Sequence, residues 1–192
     1  MIQLIGIIEV ILFYTAYFYK LLNQKRKGIK TNQLGKGNKS KKAVIVESLL
    51  KISTVLIAAI MFISAILNVS MFTGQPIRLT GLVLSGLGTC LFIIAMATMR
   101  DSWRAGIPDK DKTEMVTSGI YKVSRNPAFL GFDLTYIGAC LTFGNMVMLI
   151  AAVFTILMMH LQILEEEKYL ESTFVGSYAA YKKRVGRYFI FL

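Results

Sequence analysis

Residues 128–164 read AFLGFDLTYIGACLTFGNMVMLIAAVFTILMMHLQIL, and the division of this run decides the fold. A helix needs about 20 apolar residues to cross a hydrocarbon layer roughly 30 Å thick, and this run is far longer than that. Gly144-Asn145 stands near its middle, a pair that favours a turn. The spacing therefore predicts two helices, 128–143 and 146–164, folded back on each other as a tight helical hairpin.

Outward from this pair, residues 1–19, 52–72 and 79–99 each form an apolar stretch of span length, so five transmembrane helices are expected. Glu9, Asp133 and His160 are the ionisable groups inside these stretches. A content of 55% hydrophobic residues beside a net charge of +11 excludes a compact soluble domain, because the charges must be kept apart from the apolar surface. The expected fold is an all-α integral membrane protein, a single membrane domain over 1–192.

Lysine and arginine set the expected orientation. Residues 20–42 hold nine basic and no acidic side chains, residues 100–125 hold six basic ones and residues 165–192 five, whereas the opposite connections hold only Arg78. This predicts the N-terminus outside and the C-terminus in the cytoplasm, with the plasma membrane of a prokaryote as the expected location. The basic loop 20–42 reads as a solvated connection held against anionic lipid headgroups. It lacks interleaved aromatics for base stacking, so no nucleic-acid partner is expected. The first stretch has no basic segment before it and no small-residue cleavage site, and is expected to be retained.

Several single residues carry structural expectations. Glu47 and Lys51 are four apart and are expected to pair on one helical face. Ser85-Gly86-Leu87-Gly88 offers small residues for close helix packing or room for a ligand. Asp133, costly in lipid, is expected to face the bundle interior or to reach the interface. Glu9 has the same status near the outer face. Cys90 and Cys140 lie in apolar stretches without metal-ligand spacing, and His160 has no second ligand at helical spacing, so no metal is expected.

Two polar segments are richer than connections require. One runs from Arg100, Asp101, Trp103, Arg104 and Gly106 to Gly119-Ile-Tyr-Lys-Val-Ser-Arg-Asn-Pro127; the other is Glu165-Glu166-Glu167 followed by Phe174, Tyr178, Tyr181 and Arg187. Asn126-Pro127 marks a helix start with asparagine as cap, so free N–H groups and a positive dipole end face whatever lies there. Three glutamates at a helix C-terminus call for compensation by Arg187, Arg125 or a cationic ligand. Composition alone favours Trp103, Tyr121, Tyr178 and Tyr181 as interfacial anchors and the glutamates as a solvated charge run.

The order of these residues, Gly119-Ile-Tyr121-x-x-x-Arg125-Asn126-Pro127-x-Phe129-x-Gly131, then Glu166-Glu167-x-x-Leu170-x-x-x-Phe174-x-x-x-Tyr178-x-x-Tyr181 and Val185-x-Arg187, resembles the isoprenylcysteine carboxyl methyltransferase family and its phospholipid methyltransferase relatives. The resemblance covers roughly residues 103–187 and marks 100–192 as a methyltransferase-like region of cytoplasmic loop, helical hairpin and C-terminal helix. Asn126 stands where the family has histidine, Phe129 where it has tyrosine and Val175 where it has glycine, and the proline expected after Arg187 is missing. Asparagine retains a donor and an acceptor.

The resemblance implies S-adenosylmethionine as cofactor, enclosed by Gly119, Tyr121, Arg125, Asn126, Pro127, Phe129, Leu130 and Gly131, by Glu166 and Glu167, and by the C-terminal helix through Tyr178. Gly86 and Gly88 would correspond to a Gly-x-Gly that lines the cofactor in the phospholipid relatives. A lipophilic or lipidated acceptor would arrive from the bilayer. Glutamates suit the cofactor's α-amino group, and Arg125 or the N–H groups after Pro127 suit its carboxylate. Arg187 would orient an anionic acceptor, and Glu166 would serve as base for an amine. Two other readings stand beside this one: a membrane reductase of the sterol-reductase type, which needs a larger basic pocket for a nicotinamide cofactor, and a non-catalytic lipid-binding scaffold.

Overall fold

The computed structural model describes residues 1–37, 39–108 and 114–189; Lys110 and Lys112, counted above among the basic side chains, lie outside the described residues. Six α-helices follow in order: α1 Ile2–Arg26, α2 Lys41–Leu67, α3 Gln75–Met99, α4 Pro127–Phe143, α5 Met146–Thr173 and the short α6 Ser177–Lys182. No strand occurs among the described residues.

Their ends follow from local chemistry. Ser40 caps α2 by accepting from the Ala43 amide at 3.1 Å. Asn68, in the left-handed region at φ 51°, stops α2 five residues short of the expected end, and the Asn68 and Val69 amides close on Ala65 and Ser64. Asn145 caps α5 through Met148, and its amide also donates to Ser64 Oγ at 2.9 Å, tying this turn to α2.

Four helices are long and apolar enough to cross a membrane: α1, α2, α3 and α5. Their outward faces carry exposed Leu4, Ile8, Val55, Leu56, Leu87 and Val153, while Ile57, Met61, Tyr136 and Met148 fill the centre. Large apolar side chains exposed over long helices mark an integral membrane protein. Against five expected helices of span length, α4 is shorter, because Pro127 and Gly144 bound it at 17 residues. At 1.5 Å per residue that is about 25 Å.

α3 and α4 form the most extensive helix pair. The glycines at 81 and 88 meet those at 138 and 131 in reverse order, so that a Cβ at Gly88 would stand 2.7 Å from the Gly131 carbonyl oxygen, and one at Gly131 2.8 Å from that of Gly88. Only glycine permits this approach.

The basic connection departs from the expected solvated loop. Residues 20–26 continue α1, and Thr31 and Gln33 are buried. The Gln33 amide donates to the Ala105 carbonyl and the Ala105 amide to that of Thr31, at 2.8 and 3.0 Å, laying this segment alongside residues 103–107. Buried Gln24 makes the docking possible, since its side chain donates to the Trp103 carbonyl at 3.1 Å and accepts from Thr31 Oγ1 at 2.7 Å.

Candidate functional site

The connection from α3 to α4 begins where Arg100, at φ 49°, breaks the helix. Trp103 then turns inward onto Phe13, Phe92 and Met96. It is not an interfacial anchor, and neither are Tyr121, Tyr178 and Tyr181: all four are 6% exposed or less, with Trp103 packed on Phe92 and Tyr178 and Tyr181 packed beside Leu170 and Phe174. Burial pushes the Tyr181 hydroxyl up to about 12, and that hydroxyl donates to the Tyr121 carbonyl at 2.6 Å. Tyr121 and Tyr178 are raised by the same desolvation.

Arg125 is the centre of the next layer. Its Nη2 and Nε donate to Glu167 Oε1 at 2.9 and 3.2 Å, its Nη1 to the Val185 carbonyl at 2.6 Å, and its amide to the Gly186 carbonyl. Arg187 reaches the same carboxylate through Nη2 at 3.0 Å, and these hydrogen bonds hold its guanidinium above the ordinary value. Glu167 thereby receives both arginines considered for compensation. Asn126 does not cap α4 as expected. Its side-chain NH2 group donates to Glu167 Oε1 and to the Arg187 carbonyl, both at 3.2 Å, and these two bonds fix the side chain in a position from which it makes no cap hydrogen bond.

The three glutamates point apart because successive helix residues are rotated by about 100°. Glu165 pairs with Lys168 and Lys42 at 2.9 and 3.4 Å. Glu166, between them, has no ion pair among the described residues and takes a hydrogen bond from Gln162 Nε2 at 2.9 Å.

Two cavities meet at Glu166. The smaller, about 130 Å³, lies under the connecting segments and is lined by Ser102, Glu114, Tyr121, Asn126, Tyr169 and Tyr178 among others; the buried Tyr178 hydroxyl has no partner among the described residues. The larger, about 620 Å³, opens between α1 and α2, and its rim includes the exposed apolar side chains of Ile11, Phe18, Val55 and Phe62. It falls within the roughly 300–1,000 Å³ of small-molecule pockets. Trp103, Arg104, Gly106, Ala128, Phe129 and Glu166 line both.

Of the residues singled out from sequence, the structure brings Tyr121, Arg125, Asn126, Phe129, Glu166 and Tyr178 to these cavities. Glu167 and Arg187 stand directly behind them. Pro127, Leu130 and Gly131 belong to the first turns of α4, where all three are buried and Gly131 packs on Phe92. Gly119 turns the backbone at φ 59° against Thr98. Gly88 is spent on the contact with α4, and Gly86 stands beside Glu9; neither lines either of these two cavities.

The expected pair of Glu47 with Lys51 does not form. Glu47 is fully buried and pairs with Lys39 at 2.7 Å, whereas Lys51 is exposed. Gln162 and Gln24 carry no charge; the only sequence signal for Gln162 is an amide inside an apolar run, and Gln24, among basic residues, has none.

Residues 77–176 match the phospholipid methyltransferase family, more than half of the chain. The chain is also similar to the protein-S-isoprenylcysteine O-methyltransferase of Saccharomyces cerevisiae, with 34% identity over 109 residues. That alignment covers 55% of this chain and 46% of the yeast protein, so the chain spans about half the length of this relative.

Proposed function

The chain belongs to the phospholipid methyltransferase family, and from that premise we propose that it is an S-adenosylmethionine-dependent methyltransferase acting on a lipophilic acceptor at the cytoplasmic face of a membrane. One observation carries this reading: a smaller cavity under the connecting segments, bordered by the polar groups of Glu114, Asn126 and Tyr178, and an apolar cavity open toward the helix exteriors share a wall at Phe129 and Glu166. A donor and a lipid-borne acceptor bound on the two sides would meet there.

The residues around the smaller cavity fit the amino-acid end of the cofactor; at about 130 Å³ the cavity is below the roughly 300–1,000 Å³ of small-molecule pockets, so the rest of the cofactor would extend toward the shared wall. Glu166, a carboxylate without an ion pair among the described residues, suits a cationic α-amino group, and the unpartnered Tyr178 hydroxyl offers a further polar contact. When bound, S-adenosylmethionine supplies a methyl group on a sulfonium. Transfer of that kind needs alignment and exclusion of water more than acid or base help. Trp103 and Phe129 keep the shared wall dry. Glu166 would take the proton if the acceptor is an amine. Arg125 and Arg187, both committed to Glu167, are assigned to holding the C-terminal segment over the start of α4 rather than to contacting an acceptor.

The topology proposed with this function has α4 as a fifth crossing, paired with α5 as a hairpin, the N-terminus outside and the C-terminus cytoplasmic. Seventeen residues lie at the short end of what crosses a bilayer. The basic side chains of 20–42, 100–125 and 165–192 support it, with Arg78 alone on the other side. The whole of 1–192 is then one membrane domain, with 100–192 as its methyltransferase-like region.

Thermal unfolding of the detergent-solubilised protein tests the reading. S-adenosylmethionine or S-adenosylhomocysteine at 100 times its Kd should stabilise the fold by about 2.7 kcal/mol. Stabilisation by a reduced nicotinamide cofactor instead would select the reductase, and no shift with either would select the scaffold. Transfer of radiolabelled methyl groups into native membrane extracts then identifies the acceptor.

A further inference from the structure

We propose that Glu47 and Gln162 are positioning residues for the methyl-transfer site: Glu47 fastens two connecting segments to α5 and sets the Gln162 amide, which in turn orients the Glu166 carboxylate at the wall between the cavities. The proposal rests on the function given above. Glu47 lies outside the region that matches the family, which begins at residue 77.

Glu47 is fully buried, and among the described residues its two oxygens collect four donors from four places in the chain. Oε2 accepts from the Gly35 amide and from Lys39 Nζ, both at 2.7 Å. Oε1 accepts from the Ile107 amide at 2.9 Å and from Gln162 Nε2 at 3.3 Å. Leu34 borders the larger cavity, Ile107 the smaller and Gly106 both, so this single carboxylate holds the walls of the two chambers in register. Gly106 makes room for it: its φ is +89°, and a Cβ there would stand 3.1 Å from Glu47 Oε1.

Gln162 is equally buried and donates through one nitrogen to two carboxylates, Glu47 at 3.3 Å and Glu166 at 2.9 Å. That arrangement decides which way round the amide sits, because an oxygen in its place would face two acceptors. Gln162 Oε1 is left buried without a partner among the described residues, in a side chain that lines the larger cavity. Stability alone gives little reason for such an arrangement, since a buried ion pair is often no more stabilising than apolar residues of the same volume. A fixed rotamer for Glu166 gives one.

The test measures the Kd of S-adenosylhomocysteine on the full chain in detergent, alongside the thermal midpoint. Glu47→Gln and Gln162→Leu should each weaken binding by about tenfold, the order expected when a supporting hydrogen bond is removed. Their double variant should be no weaker than the worse single one, because both act along one path. Asn145→Ala, which uncaps α5 at the opposite end, serves as the control: it should lower the midpoint and leave the Kd unchanged. An additive double variant, an unchanged Kd in Glu47→Gln, or an equal loss in Asn145→Ala overturns the proposal. If Glu47→Gln does not fold, wild-type affinity in Gln162→Leu overturns it just as well. Failure of the wild-type protein to bind S-adenosylhomocysteine overturns the methyltransferase reading itself, and this inference with it.

Discussion

Arg125 and Glu167, 42 residues apart in sequence, are joined by two hydrogen bonds at 2.9 and 3.2 Å, with side chains 7% and 5% exposed. The pair locks the start of α4 to the end of α5, and Arg187 closes the tail over both. Glu167→Gln strands two guanidinium groups, at a cost of about 3–5 kcal/mol, whereas Arg125→Ala leaves Glu167 paired with Arg187 and costs less. Arg125→Ala and Glu167→Gln should therefore each lower the thermal midpoint and abolish stabilisation by S-adenosylhomocysteine. Arg125→Lys should rescue neither, since an ammonium cannot serve Glu167 and the Val185 carbonyl in one planar fork. Normal cofactor binding in all three variants would displace the site from this corner.

Gly88 tests the packing of α3 on α4 apart from any ligand. A methyl group there meets the Gly131 carbonyl and the Thr135 amide at 2.7 and 2.6 Å, and both are backbone atoms that move only with the whole helix. Gly88→Ala should destabilise by about 1–3 kcal/mol, the ordinary range for overpacking. Gly86→Ala, whose nearest neighbour is the Glu9 carboxylate at 3.3 Å, should change little. The yield of monodisperse protein in detergent separates the two. Equal yields would count against the helix pair, and also against reading Gly88 as a packing residue.

The helices were legible because apolar runs and their breakers are local. Even the shortness of α4 is written in Pro127 and Gly144. The pairing of Arg125 and Arg187 with Glu167 could be anticipated as charge compensation, but not its geometry, which depends on the tail returning to α4. Glu47 was misread because the Lys51 spacing is a local pattern, whereas burial of Glu47 turns it toward Gln162, 115 residues away. The aromatic residues were ambiguous for the same reason. Composition cannot tell a headgroup anchor from a buried wall: Leu170 and Phe174 cover Tyr178 and Tyr181, and Phe13 and Phe92 cover Trp103, through contacts distant in sequence.

The tail should loosen in alkali. Tyr181 is raised by burial from an ordinary 10.0 to about 12, with Arg125 pulling the other way. A folded-state value above the unfolded one means stability that is complete below pH 10 and is lost as the pH rises through about 12, because the unfolded chain releases its proton first. The thermal midpoint should therefore fall between pH 10 and 12 more steeply in the wild-type protein than in Tyr181→Phe. At neutral pH that variant should cost about 1 kcal/mol for the lost bond to the Tyr121 carbonyl. Parallel pH curves for the two proteins would remove Tyr181 from the account of alkaline stability.

The larger cavity can be filled without touching the smaller. Ala58 lines the larger cavity on α2 and is absent from the shared wall. The rim side chains Val55 and Phe62 lie within a turn or so of it on the same helix. Ala58→Trp places an indole where an acyl or prenyl chain would have to lie. Transfer of labelled methyl groups into membrane extracts should then fall by about a hundredfold, the order of loss expected when a reactant is kept out of alignment. Stabilisation by S-adenosylhomocysteine should persist, because none of the groups around Glu166 and Tyr178 is altered. Loss of both together would mean that the indole disturbs the whole bundle, which an unchanged thermal midpoint without cofactor excludes. Full transfer in Ala58→Trp would mean that the acceptor approaches by another route, leaving the cavity between α1 and α2 without a part in the reaction.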